Sequence, residues 1–245
     1  MAWGGVEVGF ATKIDSRLDP ITAVVVMFNS AHCLPALAAS LGAFRHIIVV
    51  DNASEDNITA TLQAVLPQAV LLQQSQNIGF GAANNVAFRA IAAQNQCSQV
   101  LLLNPDCTID LESVLALSET LKASTSADSK IALVAPVIMN AAGELENKTH
   151  VFAPNQGSRK MDFLTGACWL GRIEVLTQVG GFDERIFLYY EDTDLCKRLR
   201  LAGYDLMLLA GAKAVHASRT SVKMRSDFDS GYLRGFHHTD RKSVV

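Results

Sequence analysis

Four apolar runs in the first half of the chain each end in polar residues, and helical patterns separate them. The runs are Ile21 to Met27, His46 to Val50, Ala69 to Gln73 and Val100 to Leu103. Their endings are Asn29-Ser30, Asp51-Asn52, Gln76-Asn77 and Asn104-Pro105-Asp106. A nearly continuous apolar strand suits a sheet covered on both faces, where every side chain meets a helix layer instead of water. Strands alternating with helical segments build βαβ units, whose parallel strands present their carboxyl ends along one edge. The expected fold class is α/β: a mixed sheet flanked by helices, in a single domain with two halves. In such open sheets the ligand crevice lies beyond the strand carboxyl ends.

The helical patterns run from His32 to Phe44, from Glu55 to Leu66 and from Gly79 to Gln94. Pro67 stops the second, and Asp110 is placed to cap a further helix over Leu111 to Ala123. Beyond Lys130 strands are expected over Ile131 to Met139 and Phe163 to Leu170, with a turn at Ala141 to Glu144 and a loop over His150 to Lys160. A short helix over Arg172 to Val179 ends at Gly180-Gly181, and a helix over Thr193 to Ala202 stops at Gly203. Two strands follow near Tyr204 to Leu209 and Lys213 to His216. Residues 1–20 read as an N-terminal extension, 21–221 as the domain and 222–245 as a C-terminal tail.

Composition narrows the class. With 49% hydrophobic and 18% charged residues the chain is that of a globular protein. A net charge of -3 gives no reason to expect nucleic acid as a partner. No apolar run reaches the roughly 18 residues that span a bilayer, and the first 20 residues lack the compact apolar core of a secretory signal. Five scattered cysteines without zinc-type spacing read as reduced thiols, so a cytoplasmic location is expected.

Two acidic clusters carry the chemistry. Asn104-Pro105-Asp106 follows one apolar strand, and Glu191-Asp192-Thr193-Asp194 follows the aromatic stretch Phe187 to Tyr190. Carboxylates are costly to bury unpaired, so such placement usually supplies a cation, a proton or a hydroxyl for them to meet. Asp106 suits Mg2+ or Mn2+, which take oxygen ligands from one or two carboxylates plus substrate phosphates. The second cluster suits a general base, because a buried approach raises a carboxylate's pKa. Plain alternatives stand beside each reading. Asp106 and Asp110 also suit a turn and helix start, and acidic residues in a first helical turn cap it. His216 beside Val215 is either a metal ligand or a satisfied structural histidine. Asp51 can accept from a base N–H or a ribose hydroxyl, and Phe28 can pack on the base. Asn77 to Asn84 places glycines at a helix start, which suits either a phosphate or close packing.

Taken in order, these segments resemble the inverting family 2 glycosyltransferases, over roughly Ile21 to Ser221. The resemblance rests on Val26 to Ser30, Val49 to Ser54, Asn77 to Asn84, Leu103 to Asp106 and Phe187 to Arg198. Within that family the chain is most similar to the rhamnosyltransferase-like branch. The resemblance implies the GT-A fold, a Rossmann-like nucleotide half joined to an acceptor half. It implies that Phe28, Asn29, Asp51, Asn77, Gly79 and Asn84 hold a nucleotide-diphosphate sugar together with Asn104 and Asp106. It also implies that Asp192 is the catalytic base, that Glu191 and Asp194 lie on the acceptor side, and that His216 completes a metal site with Asp106. Asn104 stands where such relatives carry the first carboxylate of Asp-x-Asp, which leaves Asp106, phosphate oxygens and His216 to hold the metal.

The activity so implied is sugar transfer to a glycan or lipid-linked acceptor. Gly211 to Val245 carries seven Lys or Arg against three Asp, which suits peripheral contact with the inner face of a membrane or a plain solvated tail. Two other classes compete: a nucleotide-binding oxidoreductase, resting on the glycine motif, and a non-catalytic nucleotide-sugar-binding module.

Overall fold

A computed structural model describes residues 13–123, 130–145 and 157–217. The tail from 222, most of the basic stretch after Gly211 and most of the expected loop from His150 lie outside them. One nine-stranded sheet organises the described chain. Its strands are β1 (Ile21–Met27), β2 (His46–Asp51), β3 (Val70–Gln73), β4 (Gln99–Leu103), β5 (Cys107–Ile109), β6 (Ile131–Met139), β7 (Arg159–Met161), β8 (Cys168–Arg172) and β9 (Asp205–His216). The helices are α1 (Leu34–Leu41), α2 (Ile58–Val65), α3 (Phe80–Gln94), α4 (Leu111–Ala123), α5 (Ile173–Gln178) and α6 (Glu191–Leu201).

The sheet runs β3-β2-β1-β4-β8-β6-β9-β5, with β7 also on β9. The first four strands in that order are parallel, as expected, and all seven residues of β1 are buried. Strand order reverses between β1 and β4, the switch point at which open α/β sheets bind ligands, and Phe28-Asn29 and Asn104 to Asp106 follow the carboxyl ends of these two strands. Two apolar layers bury the sheet. Residues of α1, α2 and α4 pack on one face, and residues of α3, α5 and α6 pack on the other.

Three strand expectations are corrected. Phe163 to Ala167 is loop, and the strand there starts only at Cys168. Arg159 and Lys160, expected in a loop, pair with β9. The two strands expected over 204–216 are one, β9, interrupted in register. Pro136 pairs with Leu209 while Val137 pairs with Lys213, so Ala210 to Ala212 bulge out. Pro136 has no N–H to offer the ladder, and a bulge in the neighbour accommodates that gap. The short strand β5 has no counterpart among the sequence expectations, because three residues carry too little pattern to register.

Candidate active site

The carboxyl ends of β1, β2 and β3 are stitched by side chains. Asn29 adopts φ 52, in the left-handed region that Asn tolerates, and its Oδ1 accepts from Glu55 N at 2.8 Å. Ser54 Oγ accepts from Asn29 N at 3.0 Å, and Asp56 Oδ2 accepts from Ala31 N at 2.7 Å. Asp51 is buried at the end of β2, and its Oδ1 accepts from Ser54 N at 2.9 Å. Phe28 stands exposed beside it at the end of β1.

Asn52 ties this edge to the loop before α3. Its Nδ2 donates to Asn77 Oδ1 at 2.8 Å, and its Oδ1 accepts from Ile78 N at 3.0 Å. Asn77 Oδ1 also accepts from Gly79 N at 3.0 Å. Asn52 was not among the residues assigned a role from sequence, nor were Ser54 and Asp56. Their partners lie about 25 residues away in the chain, so local pattern gives no sign of them.

The glycines before and within α3 meet protein. Gly79 has φ 89, and a Cβ there would be driven into the Phe187 carbonyl, which also accepts from Phe80 N at 3.1 Å. A Cβ on Gly81 would come within 2.9 Å of Phe182 Cβ. Asn85 clasps the same loop, donating to Phe182 O at 2.9 Å and accepting from Phe182 N at 2.9 Å. Asn84 is buried in α3, and its Nδ2 donates to Phe80 O at 3.0 Å. Helix α3 is thereby the support on which the 182–190 segment rests.

That segment delivers the second acidic cluster. Tyr189 and Tyr190 both take left-handed conformations, φ 65 and 73, and both rings are half exposed. Such conformations cost a non-glycine residue about 1–3 kcal/mol, so they persist only where surrounding contacts impose them. Asp192 lies in the first turn of α6 and stays partly exposed. Its Oδ2 accepts from Gly166 N at 3.0 Å and its Oδ1 from Thr193 N at 2.7 Å. Asp194 pairs with Arg198, Nε to Oδ2 at 2.7 Å. Glu191 is buried, and desolvation pushes its carboxyl up to about 7.

One loop joins the two clusters. Gly166 N–H holds Asp192, and the next residue, Ala167, accepts Asn104 N at 2.9 Å. The Asn104-Pro105-Asp106 turn and Asp192 are therefore fixed to consecutive residues. On the other side of that turn Asp106 is buried, and its Oδ1 lies 3.2 Å from His216 Nε2 at the end of β9. Asp106 O accepts from Ala217 N at 2.8 Å, which closes the same corner. Among the described residues no group of three His, Cys, Asp or Glu side chains is placed to hold a metal. The carboxylate–imidazole pair nonetheless fits a hard divalent cation whose other ligands are phosphate oxygens. Beside this pair, Cys168 together with burial pushes the Cys107 thiol well above its ordinary range.

A groove of about 960 Å³ begins at Thr165, next to Gly166. Ile138, Leu206 and Leu208 are among the side chains lining it, with Arg159, Lys160, Lys197 and Arg200 around them. Lys160 pairs with Asp205 at 2.7 Å and Arg200 with Asp162 at 2.8 Å. No helix of the described residues is long and apolar enough to cross a membrane.

Comparison with known proteins gives a consistent family. Residues 22–180 match the family model described as glycosyl transferase family 2. The low-salt glycan biosynthesis hexosyltransferase Agl10 of Haloferax volcanii is 23% identical over 238 residues, covering 89% of this chain and 72% of that protein. The N-acetylglucosaminyl-diphospho-decaprenol L-rhamnosyltransferase of Mycobacterium tuberculosis is 25% identical over 240 residues, covering 81% and 76%. Among solved structures, the mannosyltransferase PcManGT of Pyrobaculum calidifontis, in complex with GDP-Man and Mn2+, superposes with a TM-score of 0.62 at 17% identity. That match covers 82% of this chain and 58% of the mannosyltransferase chain. The curled, helix-flanked sheet is thus the GT-A fold.

Proposed function

The chain belongs to glycosyl transferase family 2, and from that premise we propose that it moves a sugar from a nucleotide-diphosphate donor to a hydroxyl, inverting the anomeric carbon. The observation that carries this reading is the Gly166-Ala167 loop, which holds Asp192 and the Asn104 to Asp106 turn side by side. Asp192 is the base. Oδ1 accepts from Thr193 N and Thr193 Oγ1 and Oδ2 from Gly166 N, which leaves a lone pair for the acceptor hydroxyl. As that hydroxyl oxygen bonds to the anomeric carbon, its proton passes to Asp192 and the bond to the nucleotide diphosphate breaks.

Asp106 and His216 would hold Mg2+ or Mn2+, and the cation would neutralise negative charge on the diphosphate leaving group. Phe28 and Asp51 take the nucleotide base, while Asn29, Asn77, Gly79, Asn84 and Asn104 shape the donor crevice. Asp194 and the groove from Thr165 form the acceptor side. The groove's Arg159, Lys160, Lys197 and Arg200 outnumber its Asp162 and Asp205, a balance that favours an anionic acceptor, and a relative is named for an acceptor of lipid-diphosphate type. The proposal extends to rhamnose as donor sugar, the sugar for which that relative is named, and to a role in cell-surface polysaccharide assembly at the cytoplasmic face of a membrane. The oxidoreductase reading loses its ground, because packing against Phe187 and Phe182 accounts for the glycines that suggested it.

Calorimetric titration with UDP-, GDP- and dTDP-sugars, with and without Mn2+, tests the donor site. One donor class binds in the presence of Mn2+, and Asp106→Ala weakens that binding roughly 10- to 100-fold. Equal Mn2+ dependence in Asp106→Ala and parent would move the metal elsewhere. Failure of every nucleotide sugar to bind would overturn the reading.

A further inference from the structure

Glu191 is the one buried residue of its acidic run, 6% exposed, and its Oε2 has no hydrogen-bond partner among the described residues. Its side chain starts against α3: a Cβ built on Gly81 would stand 3.5 Å from Glu191 Cβ. Three residues further along, on the same helix face, Asn84 is 1% exposed and carries a second orphan acceptor, Oδ1. The Asn84 amide has only one sound orientation. Its amide nitrogen faces the Phe80 carbonyl at 3.0 Å, and a carbonyl can only accept, so Oδ1 must face away and needs a donor. Two buried acceptors on two packed helices, with no donor for either among the described residues, form an arrangement proteins rarely keep. A proton shared between them would satisfy both.

We infer that Glu191 is a neutral carboxylic acid near neutral pH, and that its Oε2–H donates to Asn84 Oδ1 and pins the first turn of α6 to α3. It is a positioning residue. The backbone entering α6 runs through two left-handed tyrosines, and Glu191 is the first helical residue after them. A buried clasp there holds Asp192, the next residue, against Gly166.

The surrounding charges agree. Further along α6, Arg198 gives Nε to Asp194 at 2.7 Å and Nη1 to Val179 O at 2.8 Å, while its Nη2 has no partner among the described residues. On its own helix Asp192 opposes a second negative charge. Burial is the larger influence, and against the pull of its own backbone N–H it brings the Glu191 carboxyl to about 7.

The test compares Glu191→Gln, Glu191→Ala and parent in the full chain. Infrared difference spectra of the parent near pH 6 should show a buried carboxylic acid C=O band that Glu191→Gln lacks. Glu191→Gln keeps an N–H donor for Asn84 and melts near the parent, whereas Glu191→Ala melts lower. In transfer assays Glu191→Ala lowers kcat about 10- to 100-fold with little change in donor KM, and Glu191→Gln recovers most of that loss. Absence of the acid band, or a Gln variant as damaged as the Ala variant, would overturn the inference. The effect on kcat rests on Asp192 as base, but the band and the melting do not. A protein with the band and no transfer would therefore keep the proton bridge and lose the catalytic reading.

Discussion

A single amide, that of Asn52, holds the carboxyl edge of β1 and β2 to the loop before α3. It donates to Asn77 and accepts from Ile78, and its own N–H reaches Met27 O at 2.8 Å. Asn52→Ala leaves the Ile78 N–H without its acceptor, and buried unsatisfied groups cost about 1–3 kcal/mol each. Denaturant unfolding of Asn52→Ala should show a loss of that order, and a loss near zero would show that the stitch contributes nothing. The candidates on either side, Asp51 and Asn77, were legible because they end strands or open a helix. Asn52 was not, because its work is done across the fold. The same reason hid Gly166, whose N–H finds Asp192 26 residues later.

At the scale of elements, α3 is where the sequence reading and the structure differ most in emphasis. The motif Asn77 to Asn84 suggested a cradle for phosphate or close packing, and the packing side is what its glycines visibly serve. Gly79→Ala meets both a left-handed φ and the Phe187 carbonyl, so it should cost more than about 2 kcal/mol and reduce soluble, folded protein. A melting temperature equal to the parent's would show that the 187 loop yields freely. Helix boundaries were largely legible because Asp110 and Pro67 mark them locally, and Asp110 does accept from Ser113 N at 2.7 Å. Strand β9 was split in the reading because Gly211 resembles a turn. The cause of the irregularity, Pro136, sits on a neighbouring strand that no local pattern connects to it.

For the whole molecule, the burial of Glu191 has a pH consequence. Its folded value, about 7, lies above the usual 4.5, so the folded protein binds more protons than the unfolded chain between those values. Stability therefore falls as pH rises from 4.5 to 7, by at most about 3 kcal/mol. Asp183, which is partly exposed, acts in the opposite sense at lower pH. The Arg185 guanidinium holds it at about 2, so its contribution is present above its usual 3.8 and lost as pH falls toward 2. Unfolding free energies from pH 4.5 to 8 should show the Glu191 slope in the parent and none in Glu191→Gln. The family and the fold were readable because five ordered segments, each weak alone, agree on one architecture. The joining of the two acidic clusters was not readable, since it depends on a loop that looked like a strand.

The account turns on Asp192 as the group that takes the acceptor's proton. The most direct measurement is single-turnover transfer by Asp192→Asn with saturating donor, Mn2+ and acceptor, alongside donor affinity by calorimetry. The predicted result is a fall in rate of about 10²- to 10⁴-fold with donor affinity unchanged. A variant that transfers at the parent's rate would contradict the account.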